Sequence, residues 1–387
     1  MNIDNTQQIP FGRPIIGEEE RAAVIDALMS PQLVHGPRAK AFEAAFAAML
    51  GPQVTATTVA SCTAGLHLAY IHLGIGAGDE VIVPAQTHVA TAHSVEITGA
   101  KPVFVDCEPE TGNIDVADLE AAITPRTKAI SVVHYLGLPV DMAGVMALAK
   151  QHNLFVVEDC ALAVGSSIDG VACGLIGDVG VFSFYPVKHL TTAEGGMVIS
   201  RRPEVTASID NLKAFGYDLN VGERKVPGVY NVMRLGLNYR MNELQAAIGV
   251  EQVKKLPGFL QQRRQNADAL REAMKDIAEI RLLADGDASR VHSNYCLVGV
   301  FGPELGEKRP QIIESMKRQG IGTSVYYPGP VPHMSYYRQK YGTPDSAFPN
   351  ARRISNHSLA LPVGPHLHPA QMKIVAEGLK TAIKELK

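Results

Sequence analysis

The chain has 387 residues, more than one hydrophobic core usually organises, so two domains are expected, a large one over 1–250 and a smaller one over 251–387. Its 36 basic and 39 acidic residues leave a formal net charge of −3, and their dispersal excludes the electrostatic footprint of a nucleic-acid or anionic-membrane binder. No apolar run reaches transmembrane length, residues 1–8 lack the basic-then-apolar order of a secretory signal, and the cysteines form neither a CxxC pair nor a disulfide ladder, so a reducing cytoplasm is the expected location.

Short β-branched runs at 54–59, 81–83, 103–105, 130–133, 155–157, 179–184 and 197–199 read as strands. Between them, 64–73, 89–98, 116–123 and 142–152 have helical spacing. This alternation predicts an α/β fold, with a mostly parallel central sheet and helices on both faces. Residues 218–230, rich in glycine and charge, read as a mobile loop. The stretch 241–277 is helical throughout, Pro257-Gly258 forces a break or kink in it, and it bridges to a smaller C-terminal α/β domain. That domain is expected to contain strands near 294–301 and 323–327, a helix near 311–319 and a last helix over 369–386. No metal-ligand spacing is found. Gly74-Ile75-Gly76-Ala77-Gly78 follows a helix and precedes a strand, the reverse of a dinucleotide-binding turn.

The chemistry concentrates between 155 and 196. Asp159 sits at the carboxyl end of the strand read from the apolar run Leu154–Val157, where open α/β sheets place their ligand crevices. Ser183 and Lys188 follow the next strand and reach the same rim. A lysine amine can condense with an aldehyde and then shuttle a proton. An aspartate beside a pyridine nitrogen keeps that ring protonated as an electron sink. Carboxylate, hydroxyl and amine in this order suit one pyridoxal phosphate, although each alone has a plain alternative as a helix cap or a solvated side chain. Ser61-Cys62-Thr63-Ala64, between a strand and a helix, is either a simple N-cap or an anion site.

Further ordered motifs accompany these residues: Gly36-Pro37 with Phe42-Glu43, Gly78-Asp79-Glu80, His134-Tyr135-Leu136-Gly137, Thr191-Thr192-Ala193-Glu194-Gly195-Gly196, Asn238-Tyr239-Arg240-Met241 and Phe348-Pro349-Asn350-Ala351. Together they resemble the DegT/DnrJ/EryC1/StrS sugar-nucleotide aminotransferases, pyridoxal-phosphate enzymes of the aspartate aminotransferase fold. The resemblance runs from Ile9 to Pro369. It implies that the large domain binds the cofactor, that Lys188 is the Schiff-base lysine and that Asp159 faces the ring nitrogen. It also implies that Thr63, Ala64 and Ser183 hold the phosphate, aided by Asn238 of a second subunit in a homodimer with shared active sites.

Three positions depart from the family pattern. His88 stands where members usually stack an aromatic ring on the cofactor, Leu162 where most carry Gln or His, and Tyr326 where a His is usual. His134, Tyr327 and His333 are expected substrate contacts by the same resemblance, His134 also having a plain reading as a core histidine. The implied reaction moves an amino group from an amino acid, glutamate, to a keto group of a nucleotide-linked deoxysugar, as in lipopolysaccharide or O-antigen biosynthesis. The run from Thr191 to Gly196 favours the sugar C4 position. A sugar dehydratase of this family would carry histidine at the lysine position, and a non-catalytic regulator of the same fold is the other alternative.

Overall fold

The computed structural model describes residues 8–218, 226 and 228–387. The 218–230 loop expectation therefore falls largely outside the described residues. Seven strands form the central sheet: β1 (Thr55–Val59), β2 (Glu80–Pro84), β3 (Lys101–Val105), β4 (Thr127–Val133), β5 (Phe155–Asp159), β8 (Val179–Ser183) and β9 (Gly196–Ser200). The hairpin β6 (Ser167–Ile168) and β7 (Val171–Ala172) lies between β5 and β8 in sequence. The spatial order is β1-β9-β8-β5-β4-β2-β3. Pairings from β3 through β8 are parallel, and β9 runs antiparallel to both β8 and β1.

Strands β2, β8 and β9 are buried along their whole length, as a sheet covered on both faces requires. The helix Cys62–His72 packs so closely on the sheet that a Cβ on Gly65 would stand 2.6 Å from Val181 Cγ1. Such proximity needs glycine. Parallel order sends the carboxyl ends of β4, β5 and β8 to one rim, and the antiparallel β9 brings its first residue, Gly196, opposite Ser183 on that rim.

A second core lies under a three-stranded antiparallel sheet of β10 (Ile280–Leu282), β12 (Leu297–Phe301) and β13 (Ser358–Leu361), covered by the helices Arg309–Arg318 and Pro369–Lys384. The short strand β11 (Arg290–Val291) pairs with β6. The expected strand near 323–327 is not formed. Ser324 makes one isolated bridge to Ala360, and Tyr326 and Tyr327 turn their rings into an aromatic cluster instead.

Glu243–Met274 is one unbroken helix with Pro257 inside it, so the expected break does not occur. Pro257 is on the exposed face, where the carbonyl it leaves unpaired can meet water. The ends are held by a reciprocal Asn242–Gln245 capping box and by packing against Glu18–Leu28, Pro37–Leu50 and Pro369–Lys384. This helix connects the two cores.

Candidate active site

The rim encloses a cleft of about 440 Å³ lined by Ser61, Thr63, Thr87, His88, Asp159, Leu162, Ser183, Lys188 and Tyr327, among others, a size suited to a small-molecule cofactor. Asp159 is 4% exposed. Its Oδ2 accepts from the Thr91 hydroxyl at 2.8 Å and its Oδ1 from the Ala161 N–H at 3.0 Å. The Cys62 thiol lies 3.9 Å from Oδ1, and also 3.9 Å from the Val181 carbonyl.

Lys188 sits in the loop that joins β8 to β9. That loop is closed on itself by Lys188 N–H to Tyr185 O (2.9 Å), Thr192 N–H to Phe184 O (3.0 Å) and Thr191 Oγ1 to Phe184 O (3.1 Å). The Lys188 ammonium stands 5.4 Å from the centre of the Tyr295 ring. Burial lowers its proton affinity below that of an ordinary lysine, against the opposing pull of the Asp159 charge. A larger share of the amine is then neutral near pH 7, as a nucleophile requires. Burial likewise pushes the Cys62 thiol well up, with Asp159 adding to the effect, so Cys62 stays protonated.

His88 caps the helix Val89–Glu96 by accepting from Ala90 N–H through Nδ1 at 3.2 Å. Burial and the charge on Lys188 hold its pKa down. At the other wall the helix Cys62–His72 opens on Ser61, whose Oγ accepts from Ala64 N–H at 3.1 Å. This is the plain N-cap arrangement. The first amides of a helix nevertheless lack intrahelical acceptors, so the turn keeps an anion-binding character. A Cβ on Gly196 would stand 2.7 Å from the Ser61 carbonyl carbon and 2.8 Å from Cys62 N. Only glycine lets β9 support this turn so closely.

Lys188, Asp159, Ser183, Thr63, His88, Leu162 and Tyr327 therefore converge on one cleft, whereas Ala64, next to Thr63 in the chain, is buried and is not among its lining residues. Asn238 does not line this cleft. It is exposed and bridges to Ala214. His333 also lies apart, its Nε2 3.2 Å from Pro344 O and its ring beside Phe348.

His134 is a correction. It is fully buried, with Nε2 2.9 Å from Glu158 Oε2 and Nδ1 accepting from Val140 N–H at 3.1 Å. The register explains why. Val133 pairs with Asp159 and lines the cleft, so alternation sends His134 to the opposite face, where Glu158 points.

Sequence reasoning passed over Thr91 and Tyr295. Thr91 is a buried hydroxyl in a helical pattern, and only the fold brings it beside Asp159. For Tyr295 no local signal existed, because the contact joins it to Lys188 from a segment distant in sequence.

A sequence model described as the DegT/DnrJ/EryC1/StrS aminotransferase family matches residues 14–380. The spore coat polysaccharide biosynthesis protein SpsC of Bacillus subtilis (strain 168) is 37% identical over 380 residues, 97% of each chain. Among solved structures, Helicobacter pylori PseC, an aminotransferase involved in the biosynthesis of pseudoaminic acid, has a TM-score of 0.90 at 28% identity, covering 98% of this chain and all of that one (100%). The PLP form of Spr1654 from Streptococcus pneumoniae has a TM-score of 0.89 at 28% identity, with 98% and 100% covered.

The residues present fit pyridoxal phosphate. The cleft offers a lysine of reduced basicity, a carboxylate with acceptor capacity left beyond its protein donors, and a helix-opening turn against which Gly196 allows close approach. All three lie on the walls of the same cavity.

Proposed function

Because the chain belongs to the DegT/DnrJ/EryC1/StrS aminotransferase family and is one of its pyridoxal-phosphate-dependent enzymes, we propose that it transfers an amino group from glutamate to a keto group of a nucleotide-linked deoxysugar, at C4. The observation that carries the reading is the placement of Lys188, with its lowered proton affinity, and Asp159 on the walls of one cleft. When bound, the cofactor supplies an aldehyde that can condense with an amine and a ring that accepts carbanion charge. Lys188 supplies that amine and, once released, moves a proton at Nζ. Asp159 holds the ring nitrogen, Thr63, Ala64 and Ser183 hold the phosphate, and His88 covers a face of the ring. Tyr327 is the proposed substrate contact from the aromatic cluster it shares with Tyr135 and Tyr295. His134 and His333 both drop out of the proposed site.

The sugar acceptor is supported by the described role of PseC in pseudoaminic acid biosynthesis and of SpsC in spore coat polysaccharide biosynthesis. We further propose a homodimer whose sites are each completed by Asn238 of the other subunit. Val229, Val232, Met233 and Leu235, beside Asn238 in sequence, are 52–87% exposed, an apolar run that suits burial in an interface. A cytoplasmic location fits five unpaired buried cysteines, and no helix among the described residues is long and apolar enough to cross a membrane. The division at residue 250 would fall within the long connecting helix.

The test is a mass-spectrometric screen of keto-sugar nucleotides with glutamate as donor. Amination of at least one 4-keto sugar nucleotide, with formation of 2-oxoglutarate, is expected. Amination confined to 3-keto sugars would move the position, and turnover with no sugar nucleotide at all would overturn the substrate class.

A further inference from the structure

Asp159 is held by a hydroxyl whose only visible purpose is to hold it. Thr91 lies in the first turn of the helix Val89–Glu96 and is fully buried. A threonine in a helix commonly turns its hydroxyl back to a carbonyl of the preceding turn. Here the hydroxyl donates to Asp159 Oδ2 at 2.8 Å, and its other contact, also at 2.8 Å, is the Thr87 hydroxyl. An ionised carboxylate only accepts hydrogen bonds. The order of donation is therefore fixed as Thr87 to Thr91 to Asp159, a chain that strengthens along its length.

The backbone around Thr91 leaves little freedom. Its N–H donates to His88 O at 3.1 Å, and its carbonyl accepts from Ser94 Oγ at 2.8 Å. The same helix begins at His88, so one element carries both a cleft wall and the grip on the carboxylate. The other donors to Asp159 differ in kind. The Ala161 amide is fixed by the chain, and the single Cys62 S–H is shared between Asp159 and Val181 O. Other titratable groups facing Asp159 are Lys188, His88, Tyr70 and Tyr327. Thr91 thus provides a short side-chain hydrogen bond to the carboxylate that substitution can remove without changing the local charge.

We propose that Thr91 is a positioning residue for Asp159: its hydroxyl keeps the carboxylate aimed into the cleft, where it would hold the proton on the cofactor's ring nitrogen. The inference rests on Asp159 being the ring-nitrogen partner. Without the hydroxyl, the carboxylate loses its aim and no longer holds that proton in place.

The measurement is the ¹⁵N chemical shift of the ring nitrogen in holoenzyme reconstituted with ¹⁵N-labelled pyridoxal phosphate, read beside single-turnover rates with glutamate. Thr91→Val should move the resonance toward that of an unprotonated ring and slow the half-reaction by about tenfold, the scale of one hydrogen bond to a charged group. Thr91→Ser should restore both. Thr91→Ala, which keeps no β-branched bulk, guards against a folding defect in the valine variant and should behave like it. If Asp159→Asn moves the resonance but Thr91→Val and Thr91→Ala leave it at the wild-type position, Thr91 has no such role. A resonance unmoved by Asp159→Asn would instead overturn the assignment of Asp159 itself.

Discussion

Glu158 and Asp159 are adjacent carboxylates at the end of β5, both buried, and they do opposite work. Glu158 points away from the cleft, and its oxygens accept from the amides of Gly174 (2.7 Å), Ile176 (2.8 Å) and Gly177 (2.6 Å), while His134 Nε2 lies 2.9 Å away. It has no capacity left for a ligand. Asp159 takes fewer protein donors and lines the cavity. One carboxylate closes the loop that leads into β8, and its neighbour is left facing the cleft. What separates them is the number of acceptor sites the fold leaves open.

Two substitutions should split stability from turnover. Glu158→Ala leaves three amides and an imidazole without their acceptor and should cost about 3–5 kcal/mol, the scale for breaking a buried pair, seen as a lower urea midpoint. Asp159→Asn should lower single-turnover rates by about 100-fold or more with a much smaller change in midpoint. A fully stable Glu158→Ala protein would break the comparison.

The contribution of Glu158 to stability should also depend on pH. Burial disfavours its charge, but His134 and the Gly174 and Gly177 amides hold it below the ordinary carboxylate range. Its contribution is present above the unfolded carboxylate pKa of about 4.3 and is lost as pH falls through the lower folded value. The difference in unfolding free energy between wild type and Glu158→Gln should thus be full near neutral pH and shrink as pH falls below about 4. A difference independent of pH over that range would mean that Glu158 is not ionised in the folded protein.

A smaller effect is expected at Asn238. Asn238→Ala should weaken cofactor binding by about tenfold, as for a hydrogen bond to a charged group, while sedimentation still shows a dimer. The smallest effect should come from Cys62→Ala, because its thiol is shared between two acceptors. Single-turnover rates within about threefold of wild type are expected for loss of a weak donor.

All seven central strands and the positions of Asp159, Ser183 and Lys188 could be read from the sequence, because apolar runs bounded by polar turns are local signals. His134 could not be placed, since the face it occupies depends on the Val133–Asp159 register, a pairing between distant segments. The strand expected near 323–327 failed for a related reason. Tyr326 and Tyr327 look β-prone, but their rings pack with Tyr135, Leu162 and Tyr295 from distant segments. The strand β13 and the N-terminal helices Glu18–Leu28 and Pro37–Leu50 went unpredicted. Their burial is set by distant partners, chiefly the long connecting helix for the N-terminal pair.

The central claim is that the cleft beside Asp159 holds pyridoxal phosphate through Lys188, and borohydride reduction of the holoenzyme followed by peptide mapping tests it most directly. The account predicts a single pyridoxyl label, on Lys188, and none at that position in Lys188→Ala. A label on any other lysine, or an unlabelled wild-type protein that still binds the cofactor, would contradict it.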